Sequence, residues 1–162
     1  MEEVYSKIGS IPTGSAPDTV LEGCLVLEGG AFRGLYTQGV LDAWMQRGVN
    51  FRCTLGVSAG ALAGVSYCSG QIGRSARANL AHRHDKDYIG PGALRKSKSL
   101  IRLDFLIDDY NEMEPLDMER FNDPRRRLLV ETTDCRTGEP LYWERGKCYI
   151  FTAAKASASM PF

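Results

Sequence analysis

The residues best suited to chemistry are Gly56-Val57-Ser58-Ala59-Gly60, a G-x-S-x-G segment where a short apolar run ends and a run of small residues of helical length begins. A serine on a sharp strand-to-helix turn needs backbone angles that few residues tolerate. The flanking glycines remove side chains that would collide with the neighbouring strand and helix. Such a turn exposes the hydroxyl. It also sets the N–H of Ala59 and the positive end of the helix beside it, where an oxyanion forms when an acyl carbonyl is attacked. The pattern points to acyl transfer, with Ser58 as nucleophile and Gly56 and Gly60 forming the corners of the elbow. The alternative is a glycine-rich helix start in which Ser58 is only an N-cap.

A second glycine motif, Glu28-Gly29-Gly30-Ala31-Phe32-Arg33-Gly34, follows the first apolar run. A Walker-type phosphate loop would continue with Gly-Lys-Ser/Thr, but Leu35-Tyr36 follow Gly34. A dinucleotide fingerprint would separate its first two glycines and place an acid after the second strand, and neither condition is met. An oxyanion loop remains, in which Gly29 and Gly30 let bare backbone N–H groups approach a developing alkoxide. That reading alone accounts for both motifs together.

The elements that position these motifs follow from periodicity. Cys24 to Leu27 reads as a strand buried on both faces, and Arg33 to Arg47 as a helix stopped by Gly48. Phe51 to Val57 is a second strand, and Ala59 to Cys68 a small-residue helix ended by Ser69-Gly70. Strand, helix, strand, helix in this order implies parallel strands with helices covering the sheet, an α/β fold. Ile72 to His84 continues as a polar helix, Tyr88 to Ser99 reads as loop, and Leu100 to Tyr110 as a helix. Leu128 to Thr133 and Leu141 to Glu144 form a hairpin across Arg136-Thr137-Gly138-Glu139, and Thr152 to Ser159 is a short helix. Residues 1–22 mix Gly, Pro, Ser and Thr without period and read as an irregular arm, leaving 23–162 as the domain proper.

Taken together, Gly29 to Gly34, Gly56 to Leu62, Gly39-Val40-Leu41, Glu131-Thr132-Thr133-Asp134 with Thr137-Gly138, and Ala156-Ser157-Ala158-Ser159-Met160-Pro161-Phe162 resemble the patatin-like phospholipase family. The resemblance covers nearly everything from Cys24 onward. It implies a three-layer α/β/α fold with a mainly parallel sheet, and a lipid acyl hydrolase with a serine-aspartate dyad and neither metal nor cofactor. Carried over by position, Ser58 is the nucleophile. Gly29, Gly30, Ala31, Arg33 and Gly34, with Ala59, form the oxyanion hole, and Arg33 braces the loop. The family's aspartate stands in an Asp-Gly motif after the Ala-Ser-x-x-x-Pro segment. No Asp-Gly occurs in these 162 residues. The expectation is a domain truncated on its C-terminal side, its base beyond residue 162, with very slow ester turnover by this chain alone because serine is a poor nucleophile without an adjacent base. The alternative is a non-catalytic patatin-fold interaction or regulatory domain.

No other constellation competes. His82 and His84 are the only histidines and no histidine follows Asp85, so a serine-acid-histidine order is not supplied; a solvated helix end is the better reading for both. Asp134 is expected to shape its turn. Five widely spaced cysteines with no C-x-x-C indicate neither a disulfide framework nor a zinc site, and read as buried free thiols. Twenty basic residues balance twenty acidic ones, which argues against a nucleic-acid partner. Arg95, Lys96, Lys98 and Arg102, and separately Arg125-Arg126-Arg127, are candidates for peripheral membrane contact, weighed against ordinary solvated faces. Phe32, Tyr36 and Trp44 are candidates for an acyl pocket, weighed against core packing. A lipid or acyl ester is the expected partner. The N-terminus carries no secretory signal, so the expected compartment is cytoplasmic, and an uncovered sheet edge would favour self-association.

Overall fold

A computed structural model describes residues 8–160. Four strands, β1 (Leu21–Leu27), β2 (Phe51–Val57), β3 (Arg127–Thr133) and β4 (Pro140–Glu144), lie side by side in chain order. The first three run parallel and β4 returns antiparallel to β3. Helix α1 (Gly34–Gln46) connects β1 to β2, and α2 (Ala59–Ser69) leaves β2 directly. Then come α3 (Arg74–Ala81), α4 (Pro91–Ser97), α5 (Tyr110–Met113), α6 (Met118–Phe121) and, after the hairpin, α7 (Ile150–Ala158). The mainly parallel α/β sheet expected from the sequence is the fold observed.

Helix α2 is the centre of the packing. Its residues are nearly all small, and nine of its eleven are buried, as a helix enclosed on every side requires. A Cβ on Gly64 would lie 3.1 Å from Leu128 Cδ1 and 3.3 Å from Thr54 Cγ2, so the helix axis sits close over β2 and β3. One core cluster joins Ala61, Val65 and Cys68 to Leu128, Val130, Ala153 and Ala154 of β3 and α7. A second joins Ala63 and Tyr67 to Leu27, Leu41 and Met45 of β1 and α1, and a third, away from α2, gathers Ala78, Tyr88, Phe105 and Tyr110. Gly70, at φ 69°, ends the helix in the left-handed conformation. The buried Tyr67 hydroxyl donates to Val49 O (2.9 Å) and accepts from Phe51 N (2.8 Å), which fixes the entry into β2.

Several expectations need correction. The first strand, read as buried on both faces, is an edge strand with Val26 67% exposed; a short apolar run does not reveal its place in a sheet. Helices α1, α2 and α7 lie over the sheet face that carries Leu27, Thr54, Leu128 and Val130. The other face presents Cys24, Val26, Cys53, Leu55 and Leu129, all partly or fully exposed. The 88–99 segment, read as loop, contains α4, because Gly90-Pro91 acts as N-cap and first helical residue. The helix expected over 100–110 is a π-turn (Phe105–Asp109) running into α5. The expected arm runs into β1 at Leu21, opens its described part with a 3-10 turn (Ile8–Ser10), and is docked: Ala16 is buried, Ala16 N donates to Gly70 O, and Ser15 bridges to Gln71. Residues 1–7 of that arm, and Pro161-Phe162, lie outside the described residues.

His82 does stand at a helix end, as the C-cap of α3, and is partly exposed, but its ring also meets Phe105 at a tilt and Tyr110 edge-on, at 5.0 and 5.6 Å between ring centroids; His84 is exposed. Of the five cysteines only Cys68 is buried; Cys24 and Cys135 are exposed. Within Arg125-Arg126-Arg127, Arg126 is buried over the Tyr67 ring, Arg125 pairs with Asp123 and Asp18, and Arg127 pairs with Glu144.

Two glycine substitutions separate close packing from helix propensity. A Cβ on Gly60 would stand 2.3 Å from the Leu27 carbonyl oxygen, whereas one on Gly39 in α1 meets nothing within 4 Å. Gly60→Ala is expected to destabilise by more than about 3 kcal/mol. Gly39→Ala is expected to stabilise by about 0.5–1 kcal/mol. Urea unfolding midpoints check both.

Candidate functional site

Ser58 occupies the junction of β2 and α2 with φ 54° and ψ −122°, a region a non-glycine residue enters only when its surroundings impose it. The imposing contacts are at the two elbow glycines. A Cβ on Gly56 would lie 2.5 Å from Gly60 O and 2.7 Å from Ala61 N; the Gly60 contact with Leu27 O is given above, and Glu28 O stands 2.7 Å away. The first turn of α2 therefore rests directly on the carboxyl ends of β1 and β2. Of the amides that open the helix, Ala61 N is already bonded to Ser58 O, which leaves Ala59 N and Gly60 N at its positive end.

The second motif comes to the same place. A Cβ on Gly29 would lie 3.0 Å from Ser58 Cβ and 3.7 Å from Ser58 Oγ, and one on Gly34 would lie 3.1 Å from Ala59 Cβ. Between them Ala31 is held at φ 47°, and residues 31–33 form a 3-10 turn closed by Arg33 N donating to Gly30 O at 3.0 Å. Gly29, Gly30, Ala31, Gly34, Ser58 and Ala59 are thus gathered at one corner. Arg33 folds back on the loop, its Nε 3.8 Å from the position of a Gly30 Cβ, but it does not line the cavity described below.

Ser58, Ala31, Phe32 and Ala59 open onto a cavity of about 530 Å³, a size ordinary for small-molecule sites. Phe32, Leu62, Val65, Leu106 and Phe151 give it apolar walls. Of the aromatic candidates, Phe32 alone belongs to it; Tyr36 is 82% exposed and Trp44 packs edge-on against Phe51. The cavity lining carries five cations, Arg74, Lys96, Lys98, Arg102 and Lys155, against one carboxylate, Asp104. Three of these cations are ion-paired, Lys96 to Asp87, Arg102 to Asp109 and Lys155 to Asp104. Neither histidine lines the cavity. Among the described residues no group of three His, Cys, Asp or Glu could hold a metal ion.

One contact has no counterpart in the sequence reading. Ser58 N donates to Ser157 Oγ of α7 at 2.7 Å, across 99 residues. Ser157 was legible as part of the Ala-Ser-x-x-x-Pro segment, but nothing in the spacing says which atom it would hold. Asp134, in contrast, does what a turn aspartate does: it accepts from Arg136 N at 2.8 Å, and that bond with the Arg136 side chain holds its carboxyl below the usual range. Asp104 is the one carboxylate among the described residues that line the cavity, and it is ion-paired to Lys155.

The patatin-like phospholipase family model matches residues 25–162. The chain belongs to that family. The uncharacterized protein YjjU of Escherichia coli (strain K12) is 33% identical over 96 residues, 59% of this chain and 27% of that protein. The chain therefore spans well under half the length of the curated relative it matches. No helix among the described residues is long and apolar enough to cross a membrane.

The floor of the cavity is tied down by a charged network. Arg74, buried, donates to Glu114 O and Asn111 Oδ1, while Arg77 and the Tyr110 hydroxyl bond the Glu114 carboxylate. Burial would raise Glu114, but the bonds from Arg77 and Tyr110 outweigh it and hold the carboxyl below its ordinary 4.5. A lowered folded-state pKa gives stability that is full above the unfolded value and is lost as pH falls through the folded one. Wild type is therefore expected to exceed Glu114→Gln in stability at pH 6–7, the gap closing on acidification below about pH 4; denaturant titrations at several pH values measure it. For the elbow, Ser157→Ala is expected to raise the hydrogen-exchange rate of the Ser58 amide by about 5- to 10-fold, the equivalent of one hydrogen bond. Unchanged protection in residue-resolved exchange would remove Ser157 from that role.

Proposed function

We propose that this chain carries the nucleophile half of a serine lipid acyl hydrolase. The Ser58 hydroxyl attacks the ester carbonyl of an acyl lipid, and backbone N–H groups of Ala59 and the Gly29 to Gly34 loop receive the negative charge that develops on the carbonyl oxygen. The alcohol leaves, and water then releases the fatty acid from the acyl-enzyme. The observation that carries this reading is the approach of Gly29 to within Cβ contact distance of Ser58, at the mouth of an apolar-walled cavity.

The strained Ser58 backbone supports the same role, since elbow strain keeps the hydroxyl proud of the helix start. The apolar walls suit an acyl chain, and Lys98, beside Lys96 and Arg102 that are held by Asp87 and Asp109, adds a cation suited to a phosphate-bearing head group, so phospholipid or lysophospholipid is the substrate class proposed. The proposed base is the family's Asp-Gly aspartate, expected outside this sequence. Asp104 is a poor substitute because Lys155 already neutralises it. A non-catalytic role for the same fold is the competing reading, and its support is the same lack of a free carboxylate in the cavity.

Intact mass and peptide mapping after fluorophosphonate treatment test the proposal on this chain and on a form extended past Phe162, each with its Ser58→Ala control. Labelling at Ser58 that is rapid in the extended form and at least about 100-fold slower in this chain is the expected result, since a positioned general base contributes about 10²–10⁴-fold. Equal absence of labelling in both forms would leave the non-catalytic reading standing.

A further inference from the structure

Cys24 of β1 and Cys53 of β2 are register partners on neighbouring parallel strands, and their sulfur atoms lie 2.8 Å apart. Both side chains project to the sheet face not covered by α1, α2 and α7; Cys24 is exposed and Cys53 partly so. Neighbouring strands stand about 4.8 Å apart, inside the Cα separation of about 4.4–6.8 Å that a disulfide spans. The other thiols are placed differently: Cys135 and Cys148 hydrogen-bond main-chain carbonyls, Cys148 also packing against the core, and Cys68 is sealed within it.

We infer that Cys24 and Cys53 form a dithiol–disulfide site that exchanges with small-molecule disulfides of the glutathione type. The Cys24 thiolate attacks one sulfur of the disulfide R–S–S–R, forming a mixed disulfide and releasing R–S⁻. Cys53, deprotonated, then attacks Cys24 Sγ, closing the Cys24–Cys53 bond and releasing the second R–S⁻. Two electrons pass from the cysteine pair to the small disulfide, and the two thiol protons end on the released thiols. Burial, followed by the hydrogen bond with Cys24, pushes the Cys53 thiol up to about 11, which makes exposed Cys24 the entry point and Cys53 the resolving sulfur.

The location gives the bond a mechanical consequence. The β1–β2 ladder is irregular between Leu21 and Cys24, where Gly23 adopts φ 146°, so Cys24 is the residue at which regular pairing resumes. Each cysteine stands five residues before a site residue, Gly29 just past the end of β1 and Ser58 just past the end of β2. A bond here clamps together the two strands whose ends meet at the elbow. The inference is independent of Ser58 chemistry and stands or falls on the sulfurs.

The test equilibrates the chain in buffers of increasing oxidised-to-reduced glutathione ratio, quenches with an alkylating reagent, and reads intact mass, cross-linked peptides and thermal unfolding. The expected result is a 2-Da loss mapped to linked Cys24 and Cys53 peptides, reversed by reductant, with Tm raised on the order of 5–10 °C. Cys53→Ser is expected to stop at one glutathione on Cys24. Both thiols fully alkylated at the most oxidising ratio, or each carrying its own glutathione without a link, would overturn the site; a linked protein with unchanged Tm would overturn the clamp.

Discussion

Backbone meets backbone at the start of α2, and two missing side chains allow it. With nothing on Gly56 and Gly60, the first helical turn lies on the carbonyls of Leu27 and Glu28 at separations no Cβ could occupy. Everything that matters at the site follows from that approach. It forces Ser58 into a positive φ, and it sets the helix's amino end against the close of β1. The loop from Gly29 then has only one way to go, across Ser58 and Ala59. A larger residue at either glycine would lift the helix and separate the two motifs.

The same helix is also the middle of the core, which is why the strain persists. Backbone in such a region costs about 1–3 kcal/mol, and isolated peptide would relax it. Here Ala61 and Ala63, wholly enclosed, engage opposite clusters, so relaxation at Ser58 would disturb packing against β3 and α7 on one side and α1 on the other. Each fully buried side chain of Leu or Val size contributes about 1.5–3 kcal/mol, and several depend on the placement of this one helix. The Ser157 hydroxyl adds a polar tie on the strained residue's own N–H. Precision at the surface is thus underwritten by burial beneath it.

What the sequence made legible was local. The strand-turn-helix order, the hairpin and the helix stops at Gly48 and Gly70 are written in residues a few positions apart, and so are both glycine motifs. Their meeting was inferred because one chemistry needed both, and the structure brings Gly29 to Ser58. What stayed hidden depends on long-range neighbours. Periodicity could not tell that Leu25 and Val26 lie on an edge strand, because a parallel central strand has the same apolar run. The proline that suggested loop at Pro91 instead opens a helix, since its missing N–H costs nothing at that position. His82 acquires aromatic neighbours from a π-turn that no spacing announced. Cys24 and Cys53 are 29 residues apart in sequence and adjacent only through strand register.

The bond between Ser58 and Ser157 also bears on the order in which the molecule is built. Strands β1 and β2 with α1 and α2 involve nearby stretches of chain, whose closure is entropically cheap and fast. The tie to α7 joins residues 99 positions apart, so it forms only after β3 and β4 have been laid down and the last helix has docked. During synthesis the elbow's strands can pair long before its amide finds its acceptor. A nascent chain therefore carries an unfinished turn at Ser58 until nearly all of the sequence described here has left the ribosome.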